Sequence, residues 1–129
     1  APMPTARKYA RTAVLDGKLY AAGGREADGA TSNLLERYDL AANAWEEVAP
    51  MAEVRCAHAT AVLDGKLYAI GGFDDGSLSS VERYDPALDA WEEVAPMSTA
   101  RDEFAVAVLD GKLYAVGGDS RVGSLSSVE

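Results

Sequence analysis

Residues 62–72 read VLDGKLYAIGG, and the phrase returns as VLDGKLYAAGG at 14–24 and VLDGKLYAVGG at 108–118. The three copies differ only at Ala22, Ile70 and Val116. Such self-similarity at a near-fixed period means a repeat architecture, and it decides the fold before any other feature. Val14 and Val62 are 48 positions apart, Val62 and Val108 46. Inside the phrase, Asp64-Gly65 stands between two apolar runs. That is the strongest short hairpin signal, because a type I′ turn needs φ > 0 at both central residues and Asp-Gly tolerates it.

Other landmarks keep step with the phrase. Ala-Pro-Met begins at Ala1, Ala49 and Ala95, and an arginine stands four places after each Met, at Arg7, Arg55 and Arg101. Glu-Arg-Tyr-Asp occupies 36–39 and 82–85, Trp-Glu-Glu-Val 45–48 and 91–94, and Trp lies seven residues after Tyr in both. The chain therefore divides into units 1–48, 49–94 and an incomplete 95–129, all in one repeat region, 1–129. In the middle unit the pattern predicts four strands: Ala59 to Leu63, Lys66 to Ile70, about Ser80 to Tyr84, and Trp91 to Val94. β-Branched and aromatic residues alternate with Gly, Asp and Pro turns, and no stretch carries a helical period, so the class is all-β. The first two strands of each unit are apolar almost throughout, as in a sheet covered on both faces. A four-stranded sheet sandwiched between copies of itself is a propeller blade.

A double glycine after an apolar strand, a Tyr a dozen or so residues on, and a Trp seven residues after that Tyr resemble the kelch repeat, over the whole chain. The resemblance implies four-stranded antiparallel blades of a β-propeller. Gly23-Gly24, Gly71-Gly72 and Gly117-Gly118 would allow close backbone approach or φ > 0. Tyr38, Tyr84, Trp45 and Trp91 would supply the blade-on-blade area. Three blades do not close a ring, since propellers have about four to eight. An open fan would leave two apolar faces wet. Near-identical units favour pairing of two chains, three blades each, into a six-bladed homodimeric ring. The other readings are part of a longer kelch protein, or a half-propeller, natural fragment or engineered, that self-assembles with no ligand of its own. A first residue other than Met reads as processing, excision or engineering.

Composition narrows the function. The chain of 129 residues carries a formal net charge of −9. Nucleic-acid binding needs a basic face and is not expected. No apolar run approaches the roughly 20 residues of a membrane span, and no signal-peptide pattern opens the chain. The single cysteine, Cys56, forms no intramolecular disulfide and fits a reducing, cytoplasmic setting.

Enzymatic readings find little support. A few kelch propellers are enzymes, including copper-bearing galactose oxidase and sialic-acid mutarotases, but a copper or zinc site wants several His or Cys ligands. This chain has one of each. Cys56 and His58 would project from one side of a strand, which raises a Cys–His nucleophile pair. The simpler reading is two variable positions, matched by Lys8 and Ala10 in the first unit and Asp102 and Phe104 in the third. No catalytic residue, metal or cofactor is assigned. Glu46-Glu47 and Glu92-Glu93 lie on an expected edge strand, where charge deters edge-to-edge pairing.

Binding is where the sequence varies. Differences between units gather after Ala-Pro-Met and after Gly-Gly, and if strands alternate in direction both segments emerge on one face. By resemblance to kelch adaptors of ubiquitin ligases, these loops hold partner peptides, and the arginine after Met meets acidic groups. That role carries over by position to Arg7, Arg55 and Arg101. The physical alternative is that an arginine present in every unit caps loop carbonyls or pairs with a neighbouring blade's Asp. Tyr9, Arg25, Phe73, Asp74 and Arg121 complete the expected partner-binding set, with Tyr9 and Phe73 as exposed anchors and Phe104 as core. The expected partners are a protein or peptide, and a second copy of the chain.

Overall fold

The computed structural model describes Ala1–Glu129. The first unit contains β1 (Arg7–Lys8), β2 (Arg11–Leu15), β3 (Lys18–Ala22), β4 (Arg25–Glu26), β5 (Leu35–Asp39) and β6 (Ala44–Val48). The second contains β7 (Ala59–Leu63), β8 (Lys66–Ile70), β9 (Val81–Asp85) and β10 (Ala90–Val94). The third contains β11 (Ala105–Leu109), β12 (Lys112–Val116), β13 (Asp119–Ser120) and β14 (Gly123–Ser124). There is no helix. Two antiparallel sheets, β2-β3-β5-β6 and β7-β8-β9-β10, are complete blades. In the third, β11 and β12 form the inner hairpin, and Ala115 and Glu129 exchange backbone hydrogen bonds beside a Val116–Val128 bridge.

The expected strands fall where the period puts them; the third begins at Val81 and the fourth at Ala90, one residue either side of the reading. Asp64 (φ 51°) and Gly65 (φ 72°) both take positive φ, so the hairpin turn is the type the dipeptide signals.

The first strands lie side by side, β2 against β7 and β7 against β11, so the sheets stack as blades. Leu15, Tyr20, Ala22 and Leu35 of the first blade pack on Leu67 and Tyr84 of the second. Ala59, Ile70 and Val81 of the second pack on Phe104 and Ala115 of the third. The middle sheet is thus covered on both faces, which is why β8 is apolar from Leu67 to Ile70. The first glycine of the pair lets the blades stack closely, and the second lets the strand pass close to its own unit. A Cβ at Gly71 would sit 2.7 Å from the Arg101 carbonyl oxygen of the next unit, and one at Gly72 2.6 Å from the His58 Cβ.

The outer blades show what stacking hides. Leu35 and Val81 are 0% and 7% exposed, whereas Val128, at the same repeat position, is 57% exposed. Val14 on the first blade's free face is 66% exposed.

A candidate binding face at the hub mouth

The two variable segments of each unit pair with each other. Arg7 and Lys8 lie opposite Glu26 and Arg25, Cys56 bridges Phe73, and Asp102 bridges Asp119. All three pairs emerge at one end of the stacked first strands, the mouth of the hub. Tyr9, Ala57 and Glu103, two places after the repeated arginine, all have positive φ (57°, 51° and 50°), which is uncommon for non-glycine residues. The conformation is held across blades: the Ala57 N–H donates to the Tyr9 carbonyl (3.3 Å) and the Glu103 N–H to the Ala57 carbonyl (2.8 Å).

The repeated arginines lie beneath this face and are closed to solvent. The Arg7, Arg55 and Arg101 side chains are 0% exposed. Arg55 donates from Nη1 to the Gly71 and Ser80 carbonyls and from Nη2 to Ser80 Oγ and Glu82 (2.9 Å). Arg101 repeats the set on Gly117, Ser127 and Glu129, and Arg7 reaches the Gly23, Leu34 and Ala21 carbonyls and Glu36. The expectation that these three meet a ligand's carboxylates gives way to a capping role, because their terminal nitrogens are spent inside their own units. The partner acid is the Glu of Glu-Arg-Tyr-Asp, not an acid of a neighbouring blade. Glu82 also accepts from the Ala52 and Glu53 N–H groups. Glu129 loses solvation by burial, which alone would raise its pKa. Hydrogen bonds from Ser98, Arg101 and the Thr99 N–H outweigh that and hold it at about 2.

What remains at the mouth is a cleft of about 190 Å³ lined by Tyr9, Arg25, Ala57, Phe73, Asp102 and Glu103, with Cys56 at its floor. Tyr9 is exposed and Phe73 half-buried. Arg25 leans from the first unit toward the second, its Nη2 3.8 Å from Cys56 Sγ, and its Nε has no partner. The cleft therefore has a cation on the first blade's side, two acids on the third's, and aromatic walls between. Asp74 and Arg121 are exposed on neighbouring loops and do not line it.

Cys56 and His58 are both buried and do not bond each other. Cys56 Sγ donates to the Phe73 carbonyl, and neither His58 ring nitrogen has a partner. Burial, then the charges of Arg55, Arg11 and Arg7, push the His58 pKa down to about 3. Its ring packs toward Gly23 as that of Phe104 packs toward Gly71, so it is a wedge between blades.

Two features escaped the sequence reading: the Arg–Glu pairs and the acids Asp102 and Glu103 of the cleft. The signal for the first was present, since a Glu follows each repeated arginine by 29, 27 or 28 residues.

The Kelch motif family model matches residues 6–52, 55–98 and 100–129. No curated protein matches. A solved structure described as "Structure of YjhT" aligns with a TM-score of 0.76 over 88% of this chain at 21% identity. The chain spans 44% of the length of that structure, and the likeness is one of fold.

Proposed function

The chain belongs to the kelch-repeat family, and on that premise we propose that it is a non-enzymatic protein-interaction module whose hub-mouth cleft receives a peptide segment of a partner protein. The observation that carries this reading is the pairing of the two variable loops in every unit, which gathers the residues that differ between units onto one face. Tyr9 and Phe73 offer aromatic area for an apolar side chain. Arg25 presents a guanidinium to a carboxylate, and Asp102 and Glu103 offer acceptors to a cation on the same peptide. The lone buried cysteine fits a reducing, cytoplasmic setting.

Peptides selected from a displayed random library on the purified protein test this. Tyr9→Ala, Phe73→Ala and Arg25→Ala are expected to weaken the selected peptides about tenfold or more each without lowering the melting temperature. Peptides that bind all three variants unchanged would refute the assignment. Arg55→Ala is the contrasting control, expected to lose stability first because it strands buried Glu82.

A second reading concerns assembly: two copies close a six-bladed ring and so complete the mouth. It is favoured by hydrogen bonds that recur at both blade junctions. Met51 N–H donates to the Asn33 carbonyl and Met97 N–H to that of Ser79, both at 2.9 Å. Gly24 N–H donates to Arg55 and Gly72 N–H to Arg101. The counterparts that would continue the series, the Met3, Tyr9 and Gly118 N–H groups and the Ser126 and Glu103 carbonyls, make no such bond within the chain. Donors and acceptors at the two free ends are complementary.

A further inference from the structure

Arg7, Arg55 and Arg101 are closed off, each paired with a Glu of its own unit, so the charge left at the hub mouth belongs to the variable loops. That charge is unevenly spread. The first unit's loops are balanced, with Lys8 and Arg25 against Glu26 and Asp28. The second unit's loop after Gly-Gly adds the exposed Asp74 and Asp75, and the third unit sets Asp102, Glu103 and Asp119 against Arg121 alone. The mouth is net acidic, and the excess lies on the second and third units.

The two cations of the first unit already have contacts within the protein. Lys8 Nζ lies 5.5 Å from the centroid of the Tyr9 ring, and Arg25 Nη2 points to the Cys56 sulfur. The acids of the third unit are held ready at the cleft. Ser77 Oγ, from the second unit, donates to Asp102 Oδ2 (2.6 Å) and fixes that half-buried carboxylate. Glu103 is exposed beside it, with its backbone N–H tied to the Ala57 carbonyl (2.8 Å). Both acids and the Phe73 ring line one cleft over the middle unit, which has a blade on either side. No lysine or arginine pairs with either acid.

We propose that the segment received at the mouth is a basic peptide, and that it places an arginine side chain between Phe73 and the Asp102–Glu103 pair. This rests on the hub-mouth reading and names its ligand class. A guanidinium is planar, stacks on an aromatic ring and bonds a carboxylate through two N–H groups at once. It therefore matches a cleft with a ring on one side and acids on the other, where an ammonium meets the acids only as a point charge. Asp74, Asp75 and Asp119 on the neighbouring loops draw cations to this face, and the net charge of −9 repels acidic segments. A lone carboxylate on the same peptide falls to Arg25 of the first unit.

The test is the make-up of the peptide pool selected from the displayed library on the purified protein at about 0.15 M salt. Arginine is expected to be enriched, and Asp and Glu depleted, relative to the unselected library. On the unaltered protein, a selected peptide is expected to weaken about tenfold when its arginine becomes glutamine, and less when it becomes lysine. Asp102→Asn with Glu103→Gln is expected to weaken the arginine peptide by a similar factor and to leave its glutamine version unchanged. General attraction to an acidic protein gives no such coupling. A pool that depends on Tyr9 and Phe73 but is acidic or uncharged would overturn this proposal and leave the hub-mouth reading in place. Basic peptides held equally by the parent and the double variant would also overturn it. A pool indifferent to Tyr9 and Phe73, or no pool at all, would remove both.

Discussion

At the scale of single residues, position in the repeat does not disclose role. Arg7, Arg55 and Arg101 recur because each unit needs the same loop carbonyls capped and the same Glu neutralised under the mouth. A charge taken out of water recovers its desolvation cost only with good geometry and further hydrogen bonds, and these arginines have both. From sequence, a capping arginine repeated in every unit and a ring of ligand-binding arginines look alike; burial alone separates them. His58 makes the converse case, a titratable residue standing where the third unit has Phe104. Its folded pKa of about 3 lies below the 6.5 of an exposed imidazole. Above pH 6.5 neither state binds the proton and nothing is lost. As pH falls from 6.5 toward 3, the unfolded chain takes up a proton that the folded chain refuses, so stability declines. By pH 5 the loss is about 2 kcal/mol. His58→Phe is expected to abolish that increment. Urea unfolding of variant and parent at pH 7.5 and pH 5 checks it, and an identical pH-dependent loss in both would be the opposing result. Glu129, held at about 2 against the ordinary 4.5, loses its own contribution as pH falls from about 4.5 toward 2, below the pH 5 at which the comparison is made.

At the scale of the elements, the sequence is a good guide because the information is local. Asp64-Gly65 defines its turn, and the inner hairpin follows with its register, Leu63 opposite Lys66. The pairing of β1 with β4 could be anticipated only as two loops on one face, since it depends on how the chain returns from the outer strand. The glycines divide on the same line. Gly65 meets nothing within 4 Å, and only its φ of 72° matters, whereas Gly72 lies against His58 Cβ (2.6 Å) and the Cys56 carbonyl oxygen (2.7 Å). Gly65→Ala is expected to cost about 1 kcal/mol of backbone strain. Gly72→Ala adds roughly 1–3 kcal/mol of overpacking to the same strain. Chemical denaturation compares them directly, and equal losses would mean that the loops yield where the packing says they cannot.

At the scale of the whole molecule, the stacked blades leave apolar faces at both ends of the series. Val14 is 66% exposed on one, Leu109 60% and Val128 57% on the other, while Leu15, the counterpart of Leu109, is 4% exposed between blades. The period in the sequence gives the blade and its count, and the apolar face of each strand. It does not give the lining of the cleft, which comes from three units that approach one another only when stacked: Arg25 from the first, Phe73 from the second, Asp102 and Glu103 from the third. Under the proposed pairing, a ring of two copies would enclose this mouth on the sides that a single chain leaves open. The solution mass of the purified chain, by sedimentation equilibrium at micromolar concentration, is the most direct test. The expected result is twice the 13.6 kDa chain mass, returning to the single-chain value in Val116→Asp. A folded, monodisperse species of 13.6 kDa would contradict the closed ring.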